Sequence, residues 1–157
     1  MTQAHQIPVL IPLAVGSIAV VCTILTHSLV LNLSVNFIRR QKSLGRTGSG
    51  FWIDVTIVGL AVSFWLMAHL TEIGWWALLF VFCGEFPAFG TAYYHSAVNY
   101  TTLGYGDVIL SDSWKVLGPL EAANGALMFG VSTALLFALI QRLIQKRFMD
   151  LYSDGGW

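Results

Sequence analysis

Charge is what this sequence has least of. Of 157 residues, eight are Lys or Arg and eight are Asp or Glu, 10% in all, while 56% are apolar. A soluble domain carries about 25% charged residues. A water-soluble globule is therefore excluded and an integral membrane protein is expected. The formal net charge is zero, and no long basic run offers a track for a phosphate backbone, so no nucleic-acid partner is expected. Cysteine is scarce as well. Cys22 and Cys83 lie in apolar runs without CxxC or Cys/His spacing, and they read as buried thiols rather than zinc ligands. The opening "MTQAHQIPVL" holds no Lys or Arg, which argues against the positive n-region of a cleaved signal peptide. No segment repeats Arg or Lys every third residue, so no voltage-sensing helix is expected. There is no internal repeat. The ten residues after Arg147, "FMDLYSDGGW", are too few for a ligand-binding domain. No nucleophile–base pair, metal motif or phosphate loop points to an enzyme.

What is present is three long apolar runs, from about 7 to 38, 51 to 83 and 114 to 143. A spanning helix needs roughly 20 residues, so all three are long enough, with tilt or protrusion. Between the second and third lies a segment that cannot span. "GEFPAFG" opens it, with Pro87 suited to the first turn of a helix. Residues 88–100 would make a helix of about 20 Å. It reads as a re-entrant helix that enters the membrane, stops and returns as extended chain. Four of the eight Lys and Arg lie in "RRQKSLGR" after the first run and three in "RLIQKR" after the third. The positive-inside rule makes both segments cytoplasmic. The N-terminus and the re-entrant opening then face outward and the C-terminus inward. Trp75, Trp76 and Trp114 are expected in an outer aromatic belt and Trp52 in an inner one. Glu85, Asp107 and Asp112 make the outer mouth acidic.

The re-entrant segment ends in "TTLGYGD", Thr101 to Asp107. Bare backbone at membrane depth is tolerated only where it is buried in protein or lines a watery path. A cation leaving water needs oxygens in place of its hydration shell, and rings of carbonyls from several copies supply them. Aiming successive carbonyls one way needs alternating backbone twist. Gly104 and Gly106, two apart, allow it because glycine takes positive φ without a Cβ penalty. Thr102 adds a hydroxyl ring at the inner end, and Asp107 a negative ring at the outer end.

Thr102-Leu103-Gly104-Tyr105-Gly106 resembles the T-V-G-Y-G selectivity filter of potassium channels. Residues 51–147 resemble that family's pore domain: outer helix, pore helix, filter, inner helix. The resemblance implies an all-α homotetramer with one central pore. Each subunit would carry three transmembrane helices and a re-entrant pore helix. Residues 1–50 would be an added first helix and basic loop, and 148–157 a short cytoplasmic tail. It implies K+ on the carbonyls of Thr102, Leu103, Gly104 and Tyr105 and on the Thr102 hydroxyl, with Gly106 completing the filter. Leu103 replaces the commoner valine, a mild change because only its carbonyl faces the ion. Filter support falls to Thr101, Asp107, Tyr94, His95 and Val98. Tyr94 and His95 stand where many members have paired aromatics that brace the filter tyrosine. Val98 stands where some have a glutamate that pairs with the aspartate, so Asp107 needs another partner. Gly125 and Gly130 are candidate hinges of the inner helix, against the alternative that small residues let helices pack closely. Leu127, Gly130 and Ala134 are candidates for the cavity wall. K+ is the only ion implied. No organic cofactor and no obligate soluble partner are, and membrane lipids are the surroundings.

His27, His69, Glu72 and Glu121 are polar residues at membrane depth, where they usually face the bundle interior. His69 and Glu72 are i, i+3 and share a face. Counting from Arg39 puts His27 about 18 Å up, and counting from Phe51 puts His69 about 27 Å up. The difference of roughly 9 Å is too great for one metal or haem with ligand bonds of about 2 Å. Interhelical hydrogen bonding among His69, Glu72, Thr23 and Glu121 is expected instead, with proton sensing as the alternative because histidine titrates near neutral pH. A potassium-selective passive channel in the cytoplasmic membrane is the leading reading. A non-conducting receptor or scaffold that uses this cluster is the other. A potassium-transporter subunit is disfavoured, because those usually carry four non-identical loops on one chain.

Overall fold

The computed structural model describes residues 8–47 and 50–154, with side chains as far as 149. The start of the first apolar run at Ile7 and the last three residues of the expected tail fall outside them. Among the described residues the protein is all-helical: α1 (Leu10–Ser43), α2 (Phe51–Phe82), α3 (Phe89–Tyr100) and α4 (Leu117–Asp154). Three helices, Leu10–Ser43, Phe51–Phe82 and Leu117–Met149, are long and apolar enough to cross a membrane. At 12 residues, α3 is about 18 Å long and cannot.

Two glycines end two of these helices. Gly45 and Gly84 take φ of 69° and 75°. At each, the following N–H reaches back over a full turn: Arg46 to the Gln41 carbonyl at 3.1 Å, and Glu85 to the Phe80 carbonyl at 3.0 Å. With Gly45 N–H on the Lys42 carbonyl and Gly84 N–H on the Val81 carbonyl, both are Schellman caps, which need a left-handed residue. α1 therefore runs five residues past Ile38, where the apolar pattern stops, and carries Arg39, Arg40 and Lys42 on helix. α3 begins at Phe89 with Ala88 as its N-cap, so Pro87 sits just outside the first turn. Pro119 lies in the first turn of α4, where a missing N–H costs nothing. Residues 148–154 continue α4 and do not form a separate tail.

The chain divides into two compact units, Met1–His27 with Ala68–Phe129, and Ser28–Met67 with Gly130–Trp157. The first has a core of Ile73, Trp76, Ala77 and Phe80 from α2, Ala92 and Tyr100 from α3, Leu117 and Met128 from α4, and Ala19 from α1. Pro12, Gly16, Ala19, Thr23 and His27 are its buried positions on α1, spaced three or four apart as one helix stripe requires. A Cβ at Gly16 would press on the side chains of Leu117 and Leu120. The first helix is thus packed against α4 as well as α2, and not on the outer helix alone. In the second unit Ala61 and Trp65 pack with Leu139. Phe37 meets Phe64 edge-on at 6.1 Å, and Arg147 lies 3.4 Å from Asp54.

One tryptophan departs from the expected belt. Trp76 is fully buried beside Phe80, because its helix face turns into the core of the first unit, with its indole next to Gly16 of α1. Trp75, one position round the helix, is 40% exposed and donates its indole N–H to the Thr26 hydroxyl at 3.1 Å. Trp52 is exposed.

Candidate ion-conducting site

The short helix α3 positions the site, and its buried residues hold it. Ala92, Ser96 and Tyr100 are fully buried at i, i+4, i+8, one face of the helix. The Ser96 hydroxyl faces the Ile73 carbonyl at 2.9 Å and, more closely, a Glu121 carboxylate oxygen. The Tyr93 hydroxyl donates to the Leu70 carbonyl at 3.1 Å. The end of α3 fits against α4 at Gly125, where a Cβ would overlap the Tyr100 carbonyl. Close approach thus accounts for the glycine at 125. Gly130 has open space around it within the chain.

Beyond Tyr100 the chain leaves the helix in a defined way. The Thr102 N–H donates to the Asn99 carbonyl at 2.8 Å, and the Leu103 and Gly104 N–H groups share the Val98 carbonyl at 2.9 and 3.2 Å. Val98 supports the segment through its backbone. The Thr101 hydroxyl turns back to the Ala97 carbonyl at 2.7 Å. φ is positive at every second residue: 61° at Thr102, 57° at Gly104 and 73° at Gly106. The two glycines accept this freely. Thr102 does not, since a β-branched residue at positive φ is a genuine outlier, costing about 1–3 kcal/mol. Strain of this kind persists only where the surroundings over-determine it, as the carbonyls of Asn99 and Val98 do here. The sequence signal for Thr102 was its hydroxyl; its backbone role was not legible.

Residues 101–107 are all exposed in the single chain, with Leu103 at 55% and Tyr105 at 65%. Within the chain Tyr94 and His95 hold the end of the loop, at Asp107 and Val108. The Tyr94 hydroxyl donates to Asp107 Oδ2 at 2.7 Å, which supplies the partner that Val98 cannot. That hydrogen bond holds the Asp107 carboxyl below the usual carboxylate range. His95 Nδ1 donates to the Val108 carbonyl at 2.8 Å, and the Asn99 amide donates to its Nε2 at 2.7 Å. The ring packs on Phe80 and Phe86. Of the other acids here, Glu85 accepts from the Ser111 N–H and hydroxyl at 2.6 and 2.7 Å, and Asp112 pairs with Lys115 at 3.0 Å. Leu127, Gly130 and Ala134 are each exposed within the chain.

The polar residues of the first unit form three groups. Glu72, fully buried, accepts from His27 Nδ1 at 2.8 Å through Oε1 and from His69 Nδ1 at 3.1 Å through Oε2. The Tyr100 hydroxyl also donates to Oε2. Thr23 does not join this group; it exchanges hydrogen bonds with Asn124 at 2.8 and 3.2 Å. Glu121 bonds Ser96 instead of the histidines. The 9 Å height difference between His27 and His69 is overturned, because their rings lie 5.3 Å apart. α1 extends to Ser43, which adds four residues, about 6 Å, beneath His27. Sequence reasoning missed Tyr100, Asn124 and Ser96. Asn124 lies i+3 from Glu121, and Ser96 lies i−4 from Tyr100, spacings that put each pair on one helix face.

A short helix and a loop of alternating twist thus lie between two long apolar helices. Residues 66–142 match the family model described as "Ion channel". The matched segment is just under half of the chain. It contains all of α3, the loop and most of α4, and it supports ion-channel function. No curated protein and no solved structure matches the chain.

Proposed function

We propose that this chain is the subunit of a homotetrameric potassium-selective channel that conducts passively. The carrying observation is the alternation of positive φ at Thr102, Gly104 and Gly106, placed at the end of a helix too short to span. Four such loops about an axis would offer stacked carbonyl rings, with K+ as cargo on the carbonyls of Thr102, Leu103, Gly104 and Tyr105 and on the Thr102 hydroxyl. One loop cannot surround an ion, which is the argument for four copies. The exposed Leu103, Tyr105 and Leu127 are then covered by neighbouring subunits or face the pore. Asp107, kept ionised by Tyr94, concentrates cations at the outer mouth. The basic segments after α1 and within α4 face the cytoplasm, in a cytoplasmic membrane with the N-terminus outside.

Purified protein in liposomes tests this reading. Barium-sensitive K+ flux, absent with Na+ alone and lost in Gly104→Ala, is the expected result. The substitution places a Cβ at φ 57°, which costs about 1–2 kcal/mol per residue in every copy. Absence of flux from protein that elutes as a tetramer would overturn conduction and favour a non-conducting receptor or scaffold.

A further inference from the structure

We propose that His27, His69 and Glu72 form a binding site for a divalent transition metal ion of the zinc class, one per subunit. The three residues come from two helices that the loop sequence keeps apart, α1 and α2. His27 is 3% exposed, His69 6% and Glu72 0%. One donor atom from each lies within 4.8 Å of the others. Both imidazoles turn Nδ1 toward the same carboxylate, at 2.8 and 3.1 Å. Zinc bonds of about 2.0–2.1 Å place neighbouring tetrahedral donors about 3.3 Å apart. Each histidine-to-carboxylate separation is already near that value, and no two of the donor atoms lie more than 4.8 Å apart, so side-chain adjustment of at most about 1.5 Å would close the donors round an ion.

The donor set selects the metal. Two imidazoles and one carboxylate suit zinc, cobalt, nickel or copper, whereas Mg2+ and Ca2+ take oxygen ligands. It is also distinct in kind from an all-oxygen filter for K+. The Tyr100 hydroxyl borders the site: it donates to Glu72 Oε2 and lies 3.5 Å from His69 Nδ1. Phe129 packs on the His69 ring at 4.3 Å between centroids and on Tyr100 at 5.6 Å, so apolar surface encloses the donors.

The position gives the ion a consequence. Tyr100 is the last residue of α3, one residue before Thr101. An ion held by α1 and α2 against Tyr100 would tie the added first helix to the base of the loop.

The test uses full-length, detergent-purified protein stripped with a chelator. Co2+ is the optical probe. One Co2+ per chain is expected, with the strong visible absorption of tetrahedral coordination, displaced by Zn2+ and not by Mg2+ or Ca2+. Zn2+ should raise the melting temperature. His27→Gln and Glu72→Gln should each abolish the band. His27→Gln, which alters only α1, serves if Glu72→Gln fails to fold. Absence of both the Co2+ band and the Zn2+-dependent shift in the wild type would overturn the proposal and leave a hydrogen-bonded network only. Undiminished binding in folded His27→Gln would overturn it too, by placing the ion elsewhere.

Discussion

Gly125→Ala reverses the usual sign of a helix substitution. In a helix interior, replacing glycine by alanine ordinarily stabilises by about 0.5–1 kcal/mol. At Gly125 the new Cβ would overlap the Tyr100 carbonyl oxygen, with the carbonyl carbon at 2.9 Å and the Tyr100 ring at 3.1 Å. These are mainly backbone atoms at the end of α3 and cannot swing aside. Either α4 or the last turn of α3 must move. Overpacking of this kind costs about 1–3 kcal/mol. It outweighs the propensity gain, leaving a loss of about 1 kcal/mol per chain, repeated in each copy of an assembly. Gly130→Ala is the comparison, since no atom lies within 4 Å of its Cβ in the chain, and it should be neutral or mildly stabilising. The assay is thermal loss of the native species, followed by fluorescence-detected size exclusion. K+ flux is measured alongside, because a shifted Tyr100 carries Thr101 and Thr102 with it. Gly125→Ala with unchanged melting would refute the packing argument, and unchanged melting with altered flux would return Gly125 to a hinge role.

The same contacts lead to three further outcomes. Tyr94→Phe removes the hydrogen bond that lowers the Asp107 carboxyl. Its pKa should rise toward the ordinary range, so on acidification the mouth loses its negative charge at a higher pH than in the wild type. Since an ordinary aspartate titrates near about 3.9, flux measured from about pH 5 down to about pH 3 should fall earlier in the variant, and superimposable profiles would contradict the assignment. Glu121→Leu removes the hydrogen bond to Ser96, but the Ser96 hydroxyl keeps the Ile73 carbonyl, so the loss should be about 0.5–1.5 kcal/mol, while Glu121→Gln, which keeps an oxygen there, should cost less; equal melting temperatures for the two would contradict this. Arg147→Gln breaks a pair between the half-exposed Arg147 and the buried Asp54 and should destabilise by about 1 kcal/mol, at the upper end of what surface pairs contribute, checked in the same melting assay.

The spanning helices were legible because hydropathy over a long window survives local detail. The short helix was legible from its length and from the glycine-bearing loop after Tyr100. The end of α1 was not. Arg39, Arg40 and Lys42 break the apolar pattern, yet they stay helical because Gly45 supplies the cap just beyond them. That shift also spoiled the depth count for His27, since helix register and not hydropathy sets height. Trp76 was misplaced because a belt residue and a core residue look alike in sequence. Which face of α2 turns into the core of the first unit decides between them. Tyr94 as the partner of Asp107 and the positive φ of Thr102 depend on how the chain folds back after Tyr100. No spacing rule encodes that.

The most direct measurement is the reversal potential of single channels in a planar bilayer, with K+ on one side and Na+ on the other. A potential close to that of a K+ electrode, with the current abolished by barium, is the predicted result. A reversal potential near zero would contradict the selective filter built on Thr102, Gly104 and Gly106.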